Sequence, residues 1–132
     1  MRWSLMKYKY VLDSYAWAEF FDGSKKGKKV KELLKENTAT SIIALAEFSD
    51  KCARENRDLK PFIEFIQANS AILPLTQDIA LESGKLKFEL RKISKNISLA
   101  DTIHFQTSKY AGATFVTGDK DFKDVTGILF LE

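Results

Sequence analysis

A chain of 132 residues and 15.0 kDa, 45% hydrophobic and 30% charged, has the size of one globular core and the composition to fill it. Its 21 basic residues against 18 acidic ones leave +3, a slight excess that suits an anionic partner. No apolar run approaches the roughly 18–20 residues that cross a bilayer, the opening MRWSLMKYKYVLD lacks a secretory layout, and the single Cys52 excludes a disulfide framework or a cysteine-rich zinc site. The expected setting is a reducing cytoplasm with no membrane contact.

Residues 1–6 read as an N-terminal extension, with Met6 an alternative start, and residues 7–132 as one domain without repeats or linkers. Tyr8–Leu12 is a short apolar run ending at Asp13, the pattern of a buried strand. Ser14–Phe21 follows as a helix with Ser14 as its cap and Asp22-Gly23 as its stop. Lys26–Glu36 is a lysine-rich helix striped by Val30, Leu33 and Leu34, and Thr38–Thr40 is a short β segment. Ser41–Asn56 reads as a helix with Ile42, Leu45, Ala46, Ser49 and Ala53 on its inner face. Asp58 is placed to cap the next helix, which carries Pro61 in its first turn and runs to about Asn69. Ala71–Leu75 is strand-like, Thr76–Lys92 and Ser98–Tyr110 are helical, and Ala113–Thr117 and Ile128–Leu131 are strands. Strands separated by one or two helices predict an α/β fold, a three-layer sandwich around a mainly parallel sheet.

Ligands of such sheets bind beyond the carboxyl ends of the strands. Asp13 ends the run YKYVLD and Asp119 follows ATFVTGD, so both fall on that edge, with Asp121 two residues further on. Glu47 is the first charge after a long apolar stretch in SIIALAEFSDK, and Asp101 lies near a helix start in SLADTIHF. Each has an ordinary structural reading beside the chemical one. Asp13 can serve as a turn or cap residue, Glu47 can pair with Lys51 one turn on, Asp101 completes a capping box with Ser98, and Asp119 or Asp121 can cap a short helix at Phe122. Together they point elsewhere. Two unit charges about 4 Å apart repel by roughly 4 kcal/mol at an effective dielectric near 20. Four gathered carboxylates therefore need protons or cations, and hard oxygen donors suit Mg²⁺ or Mn²⁺.

The stretches YVLDSYAW, TSIIALAEFSDK, SLADTIHFQTSKYAGATFVTGDKDF and ILFLE resemble, in order and setting, those of PIN-domain ribonucleases, in particular the VapC-like toxins of type II toxin–antitoxin pairs. The resemblance covers the chain from about Lys7. It implies a metal-dependent endoribonuclease whose catalytic and metal-holding quartet is Asp13, Glu47, Asp101 and Asp119. Ser14 and Thr117 are implied as polar positions lining the same site and Asp121 as an accessory acid. The cofactor implied is Mg²⁺ or Mn²⁺, and the partners are an RNA substrate, a small antitoxin protein and a second copy of the chain in a homodimer. His104 departs from the aliphatic residue more common there and reads as a packing or hydrogen-bonding residue.

On that basis, water attacks the phosphodiester in line and leaves a 5′-phosphate and a 3′-hydroxyl. With His104 the one histidine of the chain, a two-histidine acid–base route has no residues to run on. Lys25, Lys26, Lys28 and Lys29, with Lys31, are candidate phosphate contacts or simply a solvated helix face. Trp17, Phe20 and Phe21 read mainly as core, and Cys52 as a small buried hydrophobe. Alternatives are an RNA-maturation PIN nuclease and a PIN-like binding module without catalysis. A dehalogenase-type phosphatase fits poorly, because Tyr15 stands where that chemistry wants a second aspartate.

Overall fold

Alternation along three short strands separates the two sides of the sheet. Val11, Ala39 and Phe115 are in register and face one core, while Leu12 and Val116, one residue on, face the other. The computed structural model describes residues 8–132, so the N-terminal extension lies outside the described residues. Its strands are β1 (Tyr10–Leu12), β2 (Thr38–Ser41), β3 (Ala71–Leu73), β4 (Thr114–Thr117) and β5 (Ile128–Phe130). The helices are α1 (Ser14–Asp22), α2 (Lys25–Leu33), α3 (Ile42–Arg54), α4 (Lys60–Asn69), α5 (Gln77–Leu90) and α6 (Leu99–Tyr110). Every strand pair is parallel and the order is β3-β2-β1-β4-β5. This is the three-layer α/β sandwich expected: helices α1 to α4 supply one core, and α5 and α6 most of the other.

The connections between β1 and β2, β2 and β3, and β3 and β4 each contain two helices. Because β1 connects outward to β2 while β4 lies on its other side, the chain reverses its strand order between β1 and β4. A crevice opens at such a reversal, at the carboxyl ends of the two strands. Asp13 and Asp119 stand there, just beyond β1 and β4.

Under α1 lies an aromatic cluster of Trp17, Phe20, Phe21, Phe48, Phe62 and Phe65, with ring centroids 4.9 to 6.3 Å apart. Trp17 is fully buried, and its indole N–H donates to Thr40 Oγ1 at 3.0 Å. That hydroxyl lies 2.7 Å from Ser70 Oγ, so β2, the end of α4 and α1 are joined by one polar chain inside an apolar layer. Cys52 is buried in the same core.

Local expectations change in three places. Ser14 does not cap α1; Asp13 does, accepting from Ala16 N–H at 2.8 Å, which leaves the Ser14 hydroxyl free to reach another element. The inner face of α3 is Ala44, Phe48 and Cys52 rather than the stripe through Ile42 and Ala46, and Ile42 and Ala46 are exposed. The aromatic cluster decides this, because burying Phe48 against Phe21 and Phe62 rotates the helix away from the alternative stripe. Asp58 bonds the Lys60 N–H only weakly, at 3.3 Å, and α4 starts without a side-chain cap but with Pro61 in its first turn.

The first two helices meet backbone to backbone at Gly27, where an added Cβ would lie 2.0 Å from the Glu19 carbonyl oxygen and 2.9 Å from Phe20 Cα. Neither atom can swing aside as a side-chain tip can. Gly27→Ala is expected to destabilise the fold by about 3 kcal/mol, read as a fall in thermal midpoint, although alanine is the better helix former.

Candidate active site

The carboxyl edge of β1 and β4 opens into a cleft of about 390 Å³ lined by Asp13, Ser14, Glu47, Asp101 and Asp119, with Tyr15, Ala18, Glu19, Asp22 and Lys51 completing its wall. Four separate segments thus bring the sequence-predicted acids to one cavity. Three of the four are held by an ordinary local interaction. Asp13 caps α1 through one oxygen. Asp101 forms a capping box at the start of α6, where Ser98 Oγ accepts from Asp101 N–H at 3.1 Å and the Asp101 carboxylate accepts from Ser98 N–H at 3.3 Å. Asp119 caps the 3-10 turn Lys120–Phe122 by accepting from Asp121 N–H at 2.9 Å. The capping and chemical readings are therefore compatible, because a cap engages one side of a carboxylate and fixes where the rest of it points.

Asp101, Asp119 and Asp121 form the tightest group, each offering an oxygen within 4.8 Å of the other two. Among the described residues, no lysine or arginine forms an ion pair with these three or with Asp13. Burial raises the Asp101 carboxyl above its ordinary range, and the nearby Asp119 and Glu47 charges add to it against the Ser98 hydrogen bonds. Asp121 is raised as well, through burial and then through Asp119. Asp13, 6% exposed, is pushed up to about 6 by burial, against the lowering effect of the Thr117 hydroxyl and the Ala16 N–H. Thr117 Oγ1 also accepts from Asp119 N–H at 3.1 Å, so the last residue of β4 ties the two strand-end acids together.

Glu47 is held differently. Its Oε1 lies 2.6 Å from His104 Nε2 and accepts from Ser14 Oγ at 3.1 Å. Burial works against its ionisation, but the His104 and Ser14 bonds outweigh burial and hold the carboxyl below its ordinary value. The i,i+4 pairing of Glu47 with Lys51 does not form; Lys51 pairs with Glu55 at 2.5 Å. His104 is 1% exposed, stacks on Phe115, and leaves Nδ1 without a hydrogen-bond partner, so a proton on Nε2 satisfies Glu47 while Nδ1 is the uncompensated cost.

Two features escaped the sequence reading. Tyr15, Glu19 and Asp22 share the cleft wall because they recur at helical spacing on α1 beyond Asp13, a periodicity visible in the chain. The link between His104 and Glu47 joins residues 57 apart, and no local pattern carries it. Of the candidate phosphate-contacting lysines, Lys25, Lys28 and Lys29 are exposed on α2, whereas Lys26 turns inward to donate to Tyr15 Oη at 2.8 Å.

A family model for the PIN domain matches residues 10–128, and the chain belongs to that family. Its fold is similar to that of a chain in a toxin–antitoxin complex from Klebsiella pneumoniae (TM-score 0.77, 21% identity, 94% of this chain and 98% of that one). It is also similar to a chain of VapBC2 from Rickettsia felis bound to a promoter DNA fragment (TM-score 0.71, 19% identity, 92% and 96%). A third likeness is to Mycobacterium tuberculosis VapC20, described as a sarcin–ricin-loop-cleaving toxin (TM-score 0.71, 16% identity, 89% and 95%). No curated protein matches the chain by sequence. Among the described residues, no helix is long and apolar enough to cross a membrane.

The pH dependence of stability follows from Asp13. Below about pH 4 its carboxyl is protonated in both states. Between that value and about 6 the folded chain holds a proton that the unfolded chain has released, so stability falls as pH rises, by about 3 kcal/mol for this group once pH passes 6. Asp101 acts in the same direction and Glu47 in the opposite one. Asp13→Asn keeps an acceptor for Ala16 N–H and removes the charge. It is expected to raise the thermal midpoint at pH 7.5 and to leave it almost unchanged at pH 3.5, as melting curves across that range will show. His104→Leu is expected to release Glu47 and move its carboxyl upward, measured by carbon NMR titration of the glutamate, whereas His104→Gln, with a donor near the Nε2 position, restores much of the difference.

Proposed function

We propose that this PIN-domain protein is a metal-dependent endoribonuclease that hydrolyses RNA phosphodiester bonds and serves as the toxin of a toxin–antitoxin pair. The observation that carries the reading is the group of Asp101, Asp119 and Asp121, within 4.8 Å of one another and, among the described residues, in no ion pair with a lysine or arginine; Asp101 and Asp119 line the same cleft as Asp13 and Glu47. Such a donor set fits a hard divalent ion: all ligands are carboxylate oxygens, and burial and mutual repulsion leave Asp101 and Asp121 short of a counter-charge. Mg²⁺ or Mn²⁺ would be held by Asp101, Asp119 and Asp121, with Asp13 and Glu47 completing the acidic shell. When bound, such an ion supplies a water of lowered pKa and polarises a phosphate oxygen.

The chain's own residues set the rest. Asp13 and Asp119 are fixed by the caps they make, so the acidic edge is preorganised rather than assembled on binding. Glu47, kept ionised by His104 and Ser14, places a negative charge in the same cleft as Asp101, whose carboxyl it helps to raise. His104 is buried and committed to Glu47, so it is not available for attack through a ribose hydroxyl. Attack by water on phosphorus with the 3′-oxygen as leaving group, the course the family resemblance implies, leaves a 5′-phosphate and a 3′-hydroxyl. A binding-only module is the weaker reading, since the full quartet lines the cleft. The similar folds in toxin–antitoxin complexes support a small antitoxin partner and favour a toxin over an RNA-maturation enzyme, whereas pairing of two copies rests on the family resemblance alone.

The test is cleavage of a mixed structured-RNA pool with and without Mg²⁺ or Mn²⁺. Asp101→Asn retains an acceptor for the Ser98 N–H and hence the fold, and it is expected to lower the rate by at least about 10²-fold. Ends mapped on the products should carry 5′-phosphates. Cleavage that persists undiminished in chelator, or in Asp101→Asn, would remove the acidic cleft from the reaction.

A further inference from the structure

A second concavity of about 750 Å³ adjoins the acidic cleft and shares two of its walls, Tyr15 and Asp119. Its chemistry is the reverse. Lys26, Lys120 and Lys123 line it together with Phe130, and the carboxylates on its wall are Asp119 and Glu132. Among the described residues none of the three lysines forms an ion pair, whereas Lys9, Lys35, Lys51, Lys60, Lys85 and Lys92 all have acidic partners. The three ammonium groups outnumber the two carboxylates, so the groove carries a small excess of positive charge, immediately beside a cleft with an excess of negative charge.

The wall between the two is built to close tolerance. Tyr15 lies so near the backbone of Gly118 that a Cβ there would stand 2.2 Å from its ring Cε1. Lys26 Nζ donates to the Tyr15 hydroxyl at 2.8 Å and lies 5.3 Å from the ring centroid, so both the ring and the ammonium are held in place. Lys120 and Lys123 stand three apart on the 3-10 turn Lys120–Phe122 and its cap residue, the same turn whose start is fixed by Asp119. One short element thus carries an acid into the cleft and two bases into the groove.

We infer that this groove is a nucleotide subsite, in which Lys26, Lys120 and Lys123 take the phosphate next to the scissile one and Tyr15 or Phe130 takes its base. The inference rests on the nuclease reading, which places the scissile phosphate in the acidic cleft. A single strand leaving that cleft through the shared wall meets cations for its next phosphate and an aromatic face for an unstacked base, which together are the features single-stranded RNA is bound by. Continuity with the cleft that takes the scissile phosphate favours a nucleic acid over an acidic peptide.

The test uses the full chain carrying Asp101→Asn, and a fluorescein-labelled single-stranded RNA of mixed 12-nucleotide sequence followed by anisotropy across a salt series. Adding Lys120→Gln and Lys123→Gln is expected to weaken binding about tenfold and to flatten the slope of log K against log salt by about 0.7, the value for one lost phosphate contact on a single strand. Adding Lys85→Gln and Lys92→Gln instead removes the same charge from α5 and the turn that follows it, and is expected to change affinity less than twofold. Equal effects of the two pairs, or no measurable RNA binding by the parent, overturn the subsite. The same lysine pairs in the otherwise unaltered chain are compared in Mn²⁺-dependent cleavage, where the groove pair should raise KM and leave kcat nearly unchanged. Groove-dependent RNA binding without any cleavage would sink the nuclease reading and keep the subsite; normal cleavage with an unaltered KM would do the reverse.

Discussion

The structure is organised around carboxylates that cannot neutralise one another. Asp13, Asp101 and Asp119 all stand at the starts of helical elements, where exposed N–H groups offer each of them a partial positive charge. These local bonds orient the acids, but they do not balance the charge. Burial still raises Asp13 and Asp101, and no described lysine or arginine forms an ion pair with them. Stability is thereby given up at neutral pH in a place where a cation would restore it. Glu47 is the exception, because His104 and Ser14 favour its ionised form enough to overcome its burial.

Rigid packing beneath the cleft is what keeps those acids together. Trp17, one turn along α1 from Asp13, is locked by Phe20, Phe21 and Phe65 and by its bond to Thr40. The same cluster seats Phe48, the residue after Glu47, so the position of one acid on α1 and another on α3 depends on a shared apolar layer. On the opposite side of the sheet, Phe105, Phe115 and Phe122 pack tilted or edge to face between α6 and β4 and support Asp101 and Asp119 in the same way. Hydrophobic burial supplies the stability, and the polar edge is carried on top of it.

Charge is distributed in neighbouring zones rather than spread evenly. The acidic cleft and the lysine-bearing groove meet at Tyr15 and Asp119, and this places a steep change of potential across one side chain's width. A net charge of +3 conceals the arrangement, since the acids that lower the total are gathered where their repulsion is greatest. Of the lysine cluster on α2, position on the helix decides which member faces this region: Lys26 turns to Tyr15, and Lys25, Lys28 and Lys29 stay in solvent.

Local chemistry made much of this legible from the chain. Short apolar runs ending in Asp13 and Thr117-Gly118-Asp119 marked two strand ends, because buried parallel strands need unbroken apolar segments and ligands gather beyond them. The Ser98–Asp101 capping box was likewise visible, being completed within four residues. Other features depend on contacts between distant segments. Two helical stripes compete on α3, and only the aromatic cluster selects the one through Phe48. The strand order that sets β1 beside β4, the Glu47–His104 bond and the approach of Asp121 to Asp101 all join residues remote in sequence. Periodicity determined the elements and the residue types at their ends; tertiary packing decided which side chains share a space, because rotation of a helix by one residue changes its buried face without altering its propensity.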